Sequence, residues 1–229
     1  MSENDSSNLS NFQINKEIII KHDRAFYTLD EFPKFKIIEE NYYEILNELL
    51  SVMQENHIVE KIFEPWIERN LYQDSNENGW DVAPLKIGGA SIDDRCILFP
   101  KLKKLTDQIS GIVSVSYSLL KPGTHIVAHK GYDEYSEKIL RYHMGIIVPE
   151  GEIGIRVEND IRGWENGKSF IFDDFLIHEA WNFSDKNRIV LIIDFLRNEF
   201  IEENSNQLLF SDKNFNKSTE PYLKQNLNN

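Results

Sequence analysis

The feature that most constrains the fold is a succession of short β-type segments in the second half of the chain. The predicted strands are residues 112–117, 142–148, 153–157, 169–172 and 188–195, each rich in β-branched or aromatic residues. Turn residues separate them, as at Lys121-Pro122-Gly123 and Glu165-Asn166-Gly167. Because no helical pattern interrupts this series, it predicts an antiparallel β-sandwich or barrel.

The first half of the chain has helical patterns instead. Residues 39–55 carry apolar side chains at helical spacing and predict an amphipathic helix. Residues 60–70 predict a second, short helix that is interrupted near Pro65. Residues 101–110 predict a third. The predicted architecture is therefore mainly β, with N-terminal helices packed on the sheets.

Composition divides the 229 residues into three parts. Residues 1–15 are rich in Ser, Asn and acidic residues and predict a disordered arm. Residues 16–200 have the length and the apolar content of a single domain. Residues 201–229 form a polar, Asn-rich C-terminal tail.

The net charge argues against two classes of partner, and the cysteine content argues against an intramolecular disulfide. The formal net charge is −13 and the pI about 4.9, so phosphate backbones and anionic membrane surfaces are repelled. We therefore expect neither nucleic acid nor membrane as a partner. Cys96 is the single cysteine, which precludes an intramolecular disulfide, favours a cytoplasmic address and predicts a buried apolar role for that thiol. The sequence carries no signal for oligomeric state.

Four of the six histidines fall in the β region: His125, His129, His143 and His178. Imidazoles are common metal ligands, but a lone histidine in a strand is more often a hydrogen-bonded core or surface residue. His129 and His178 are separated by 49 positions, a spacing that by itself does not distinguish a metal site from chance.

Two arginines add a second hypothesis. Arg141 and His143 are two residues apart in a predicted strand and therefore lie on the same face. Arg188 opens the last predicted strand. If these side chains converge inside the sandwich, they form a cationic pocket suited to a small dicarboxylate, because a guanidinium binds a carboxylate through two hydrogen bonds. Surface ion pairs are the alternative for both arginines.

Five ordered blocks carry a family resemblance. They are SLLKPGTHIVAH at 118–129, LRYHMGIIVP at 140–149, WENGK at 164–168, FDDFLIHEAW at 172–181 and RIVLIID at 188–194. In order and nearly in spacing they resemble the aspartyl/asparaginyl β-hydroxylases, with weaker similarity back to residue 26. The resemblance implies a double-stranded β-helix (a distorted jelly roll) that binds Fe(II) and 2-oxoglutarate and uses O2 as a cosubstrate.

The resemblance also implies roles for individual residues. His129 and His178 match the two iron ligands, and Arg188 matches the residue that pairs with the distal carboxylate of 2-oxoglutarate. The further 2-oxoglutarate contacts that it implies are Ser118, Arg141 and His143.

The carboxylate of the usual iron site is missing. Most non-haem iron oxygenases use two histidines and a carboxylate, whereas His129 is followed here by Lys130 and Gly131. The family resemblance implies two histidines plus water, with Asp173 or Asp174 orienting that water.

The implied reaction is hydroxylation of an unactivated C–H bond in an amino acid that is free, carrier-bound or part of a peptide, giving succinate and CO2. The acidic segment 132–138 lies between the metal and cosubstrate blocks and is expected to cover the substrate. The alternatives are hydroxylation of a lipid acyl chain, halogenation at the same iron, a metal-dependent cupin-type enzyme of other chemistry, and a non-catalytic jelly roll that binds an acidic ligand.

Overall fold

The computed structural model describes residues 20–55, 62–73, 79–131 and 133–200. The arm predicted at 1–15 and the tail predicted at 201–229 lie outside the described residues. The strands are β1 (Phe26–Tyr27), β2 (Glu64–Pro65), β3 (Tyr72–Gln73), β4 (Trp80–Ile87), β5 (Ala90–Ser91), β6 (Ile112–Leu120), β7 (Thr124–His129), β8 (Ile139–Ile147), β9 (Ile153–Val157), β10 (Asp160–Arg162), β11 (Ser169–Phe172), β12 (His178–Asn182) and β13 (Arg188–Leu196). The helices are α1 (Lys36–Glu40), α2 (Tyr42–Met53), α3 (Asp93–Cys96), α4 (Pro100–Thr106) and α5 (Asp133–Ser136).

The strands form two sheets. The larger sheet has the order β1-β11-β8-β13-β6-β4-β2, with β5 added on β4, and the smaller sheet has the order β10-β9-β12-β7-β3. Apart from the hairpin strand β10, the strands from β6 to β13 alternate between the two sheets along the chain. All pairings between these strands are antiparallel. This alternation is the topology of a double-stranded β-helix, so the predicted fold class is confirmed.

Strand β13 shows how the sequence positions a site between the sheets. Its odd-numbered residues from Ile189 to Phe195 belong to the core beneath the helices, whereas Val190 and Ile192 pack in the space between the sheets. Since side chains alternate across a strand, Arg188 and Asp194 share the face of Val190. Both polar residues are therefore directed between the sheets, at opposite ends of the strand.

The helices cover the outer face of the larger sheet. Phe35 and Ile38 are fully buried there, and the Phe35 ring lies 4.5 Å from the Phe195 ring. Glu48 of α2 accepts hydrogen bonds from the backbone N–H groups of Lys101 (2.7 Å) and Leu102 (3.1 Å), which fixes the start of α4 against α2. The predicted helix at 39–55 is divided in two at Asn41, whose side chain donates a hydrogen bond to the backbone of residue 37.

The structure describes this segment from residue 62, which is helical, and the helix predicted over residues 60–70 is wrong from residue 63 onward. Glu64–Pro65 is a short edge strand and Arg69–Leu71 a 3-10 turn. Pro65 lacks a backbone N–H and suits an edge position, and the Trp66 N–H donates to the Trp80 carbonyl at 2.9 Å. In residues 20–55, 62–73, 79–131 and 133–200, every helix is too short or too polar to span a membrane.

Candidate iron and 2-oxoglutarate site

The two histidines singled out in the sequence lie side by side. His129 ends β7, His178 begins β12, and the two are register partners in the smaller sheet, with ring centroids 4.3 Å apart. His129 Nδ1 lies 2.8 Å from the Val127 carbonyl and His178 Nδ1 lies 2.8 Å from the Leu176 carbonyl. If each Nδ1–H donates to its carbonyl, both Nε2 atoms carry free lone pairs. The arrangement can therefore offer two imidazole nitrogens to one metal ion.

The charge state of His178 suits a metal ligand. Its side chain is buried, and burial lowers its pKa well below the usual value, with a further contribution from the neighbouring His129. The ring is therefore neutral at physiological pH, which is the form that binds metals.

A carboxylate lies beside the histidine pair, although it comes from an unexpected position. Asp174 is 1% exposed, and its Oδ1 lies 3.5 Å from His178 Nε2. Its Oδ2 is next to Gly131, where an added Cβ would lie only 2.0 Å away. Gly131 is the position two residues after His129, so Asp174 fills the space that a side chain there would occupy. Among the described residues, no group of three or more His, Cys, Asp or Glu side chains is placed to hold a metal ion.

Asp173 is directed elsewhere. It is fully buried, and its Oδ2 lies 2.6 Å from Arg197 Nη2 and 2.8 Å from His22 Nδ1. The His22 ring also stacks on Phe175 at 4.1 Å. Of the two adjacent acids, Asp174 is the one beside the histidine pair, and Asp173 holds the N-terminal segment against the 173–177 loop.

Arg141 is bound by two protein carboxylates. Its Nε and Nη2 donate to the two oxygens of Asp194 at 2.6 and 2.9 Å, and its Nη1 lies 2.5 Å from Asp174 Oδ1. Tyr135 donates a further hydrogen bond to Asp194 at 2.8 Å. Burial acts to lower the pKa of Arg141, but the two carboxylates outweigh it and raise that pKa. The guanidinium therefore fixes Asp174 in place beside the histidines.

Arg188 differs from Arg141 in that no acidic side chain of the described residues binds it. It is 2% exposed, yet no described carboxylate pairs with it and its Nε has no hydrogen-bond partner. Its guanidinium lies over the Trp164 ring, 4.7 Å from the centroid. Burial lowers the pKa of Arg188 to about 9, so the side chain is still a cation at neutral pH. A buried cation without a partner is costly, and an anionic ligand would remove that cost.

A series of buried rings connects the histidine pair with Arg188. The His178 and Phe172 rings are 5.3 Å apart, Phe172 and His143 are 5.0 Å apart, and His143 and Trp164 are 5.9 Å apart. Neither ring nitrogen of His143 has a hydrogen-bond partner in the part of the chain that the structure describes. Burial lowers the pKa of His143 well below its usual value, and the charges of Arg141 and Arg188 lower it further. The histidine pair on the smaller sheet and the Arg188 guanidinium on the larger sheet thus face the same space between the sheets.

Ser118 belongs to the same space on strand β6. It is 1% exposed, and its Oγ accepts a hydrogen bond from Trp80 Nε1 at 3.0 Å. Its register partner on β13 is Val190, two residues from Arg188. All six residues predicted to bind iron or cosubstrate therefore point between the two sheets, and one of the two predicted aspartates does not.

The structure adds a cavity that the sequence did not indicate. A cavity of about 290 Å³ lies between strand β4, the segment 66–71 and His129, and its wall also includes Gly131, Asp174 and Ile192. Tyr135 also lines it, within the segment that was expected to cover the substrate. Sequence reasoning assigned no role to Tyr135 or Asp194, although Asp194 closes one of the five blocks that carry the family resemblance.

His125 is a histidine of a different kind. Its Nε2 lies 2.9 Å from Glu179 Oε2, and Arg156 Nε donates to the other oxygen of Glu179 at 2.6 Å. Glu179 and His125 are both only partly buried, on the face of the smaller sheet opposite the site. This cluster is a cross-strand ion network and is separate from the histidine pair.

Sequence comparisons support the family resemblance. Residues 39–198 match the family model described as aspartyl/asparaginyl beta-hydroxylase. Over 173 residues the chain is 33% identical to the ornithine lipid ester-linked acyl 2-hydroxylase of Rhizobium tropici. This alignment covers 75% of this chain and 60% of that protein. It is 32% identical over 170 residues to the aspartyl/asparaginyl beta-hydroxylase of Mus musculus, covering 69% of this chain and 21% of that protein.

The chain therefore spans less than two thirds of either relative's length. Among solved structures, a Pseudomonas putida prolyl-4-hydroxylase aligns with a TM-score of 0.44 and 15% identity, over 66% of this chain and 86% of that chain. The family model matches well over half of the sequence. The matched residues include all five blocks with their histidines and arginines. The chain belongs to the aspartyl/asparaginyl beta-hydroxylase family.

Proposed function

We propose that the chain catalyses the Fe(II)- and 2-oxoglutarate-dependent hydroxylation of an unactivated C–H bond in an amino acid, either free, carrier-bound or within a peptide. The observation that carries the proposal is Arg188, a buried cation without an acidic partner among the described residues, in the same inter-sheet space as a histidine pair. A small dicarboxylate that reaches from the metal to Arg188 would bind the metal with one end and pair with the guanidinium at the other.

The donor set fits iron and this cosubstrate. Two neutral imidazoles with free Nε2 atoms are suitable ligands for Fe(II) and leave positions open for cosubstrate and O2. His129 and His178 would hold the iron, and Arg188 would hold the distal carboxylate of 2-oxoglutarate through a two-point contact. When bound, iron, 2-oxoglutarate and O2 supply the oxidation, in which C–H becomes C–OH while 2-oxoglutarate is converted to succinate and CO2.

The surrounding residues position these groups. The carbonyls that accept from the two Nδ1–H groups fix the tautomer and the ring orientation of each histidine. Asp174, held by Arg141, places a negative charge beside the metal position, where it can accept a hydrogen bond from a water on the metal. Ser118, Arg141 and His143 remain the proposed further contacts of the cosubstrate. Phe172 and Trp164 exclude water from the space between the sheets.

A second candidate reaction is hydroxylation of a lipid acyl chain. It is favoured by the similarity to the Rhizobium tropici protein, which is named for that activity, and by the apolar wall of the 290 Å³ cavity. The net charge of −13 disfavours anionic membrane surfaces and nucleic acid as partners. We propose a small-molecule or peptide substrate.

Anaerobic calorimetry with Fe(II)-loaded protein tests the proposal directly. We expect 2-oxoglutarate to bind the wild type and to bind Arg188→Met roughly tenfold to a hundredfold more weakly, since a hydrogen-bonded charge contact is lost. Arg156→Met, which disrupts only the outer ion network, should bind like the wild type. Succinate formation with an amino-acid panel and an acyl-lipid panel then separates the two reactions. Absence of 2-oxoglutarate binding to the iron-loaded wild type would refute both, and would favour a non-catalytic jelly roll.

A further inference from the structure

The cavity beside His129 has an apolar wall. The apolar side chains that line it include Trp66, Leu71, Trp80, Val82, Ile87 and Ile192. The two indoles lie against each other with ring centroids 5.2 Å apart. At about 290 Å³ the cavity is close to the lower end of small-molecule sites, which span roughly 300–1,000 Å³. It is therefore suited to a small ligand with an apolar body.

Two charged residues of this wall have no side-chain partner among the described residues. Glu68 and Lys86 are both half-buried and both line the cavity. In the part of the chain that the structure describes, neither takes part in an ion pair or a side-chain hydrogen bond, with each other or with any other residue. A charged group in a largely apolar wall loses hydration, so a ligand of opposite charge would stabilise each of them.

The other charged groups of the cavity are already engaged. Arg141 binds both Asp174 and Asp194, as described above. Lys130 lies over the Phe175 ring, 5.1 Å from its centroid. The cavity thus offers a ligand one carboxylate and one ammonium, at Glu68 and at Lys86.

We infer that this cavity binds a small zwitterionic amino acid with an apolar side chain, with its ammonium at Glu68, its carboxylate at Lys86 and its side chain against Trp66 and Trp80. The inference rests on the proposed function, because only the iron beside His129 makes the bound amino acid the hydroxylated substrate. It selects a free amino acid over a carrier-bound or internal peptide residue, neither of which has a free carboxylate. An acyl chain would supply no cation for Glu68.

Calorimetry on the protein with Fe(II) and 2-oxoglutarate under argon, where no turnover takes place, measures this binding. The probes are leucine, leucinamide, which lacks the carboxylate, N-acetylleucine, which lacks the ammonium, and aspartate, which lacks the apolar side chain. We expect leucine to bind and each of the other three to bind roughly tenfold to a hundredfold more weakly, the range for losing a contact to a charged group.

Two variants test which residue binds the carboxylate of the ligand and which binds its ammonium. Lys86→Met should abolish the difference between leucine and leucinamide, and Glu68→Gln should abolish the difference between leucine and N-acetylleucine. The matched controls Lys104→Met and Glu152→Gln change exposed residues outside the cavity and should bind all four probes like the wild type.

Three results would overturn the inference. They are N-acetylleucine or leucinamide binding as tightly as leucine, aspartate binding more tightly than leucine, and Lys86→Met and Glu68→Gln both binding leucine like the wild type. A protein that binds and consumes 2-oxoglutarate but does not bind leucine overturns this inference alone. A protein that does not bind 2-oxoglutarate overturns the proposed function, and with it the assignment of a bound amino acid as substrate.

Discussion

Gly131 and Asp174 share a single space beside the histidine pair. A Cβ at Gly131 would lie 2.0 Å from Asp174 Oδ2 and 2.6 Å from Ser136 Cβ, so any side chain at position 131 must displace the carboxylate. The Gly131 N–H also donates to the Asp174 carbonyl at 2.9 Å, which keeps the two segments in contact. The Asp174 carboxylate, which comes from a different segment, therefore occupies the space that a side chain two residues after His129 would fill.

This relationship predicts strong coupling between the two positions. Gly131→Asp should lower the free energy of unfolding by about 2 kcal/mol or more, because the new side chain overpacks the space of the buried Asp174 carboxylate. Combining it with Asp174→Gly removes the clash with residue 174, so the double variant should be more stable than the sum of the single changes by about 1 kcal/mol or more. Urea unfolding of the four proteins measures this coupling, and strictly additive effects would contradict it.

Metal binding should depend on His129 and His178 and be independent of His125. Alanine at either of the first two removes one of two imidazole ligands, so we expect Fe(II) affinity measured by anaerobic calorimetry to fall at least a hundredfold. His125→Ala is the matched control, because that ring lies on the same strand as His129 but pairs with Glu179. A loss of affinity in His125→Ala equal to the loss in His129→Ala would place the metal elsewhere.

Binding of 2-oxoglutarate should weaken in alkaline solution. Burial lowers the pKa of Arg188 to about 9, so in the ligand-free protein the guanidinium is charged below that pH and loses its proton above it. Because a dicarboxylate binds the cation, affinity should be constant from about pH 7 to 8 and should fall by up to about tenfold per pH unit above 9. Titrations at each pH measure it, with Arg188→Met as the variant expected to lack this dependence.

The sequence predicted several strands closely: the bounds predicted for β9 and β11 are the observed ones. β13 separates two cores, so its apolar run marks it clearly, and the predicted bounds 188–195 differ from Arg188–Leu196 by one residue. β12 was not predicted because its buried residues include His178 and Asn182, which make the segment look polar. β4 was not predicted because Pro84 lies within it, at an irregularity in its pairing with β6.

The site was only partly readable from the sequence. The family blocks identified the histidines and arginines, but their meeting depends on the register of β7 with β12, which no spacing of 49 positions reveals. Adjacent acids at 173 and 174 look equivalent in the sequence, and only the turn after β11 directs them apart. Glu68 and Lys86 belong to no motif. These two residues stand out because they have no partners among the described residues, and only a structure can reveal this.

The separation of Asp173 from Asp174 gives a last test. Asp173→Ala leaves Arg197, 6% exposed, without its carboxylate and removes the contact with His22, so it should lower the free energy of unfolding by about 3–5 kcal/mol.

Asp174→Asn keeps the shape of the side chain but removes the charge beside His178. It should weaken Fe(II) binding by roughly tenfold to a hundredfold, the range for groups that orient metal ligands, while Arg141 keeps its bond to Asp194. Asp160→Asn, an exposed change on the β9–β10 hairpin, is the control for both measurements. If Asp173→Ala weakens Fe(II) binding more than Asp174→Asn does while unfolding like the wild type, the roles of the two acids are reversed.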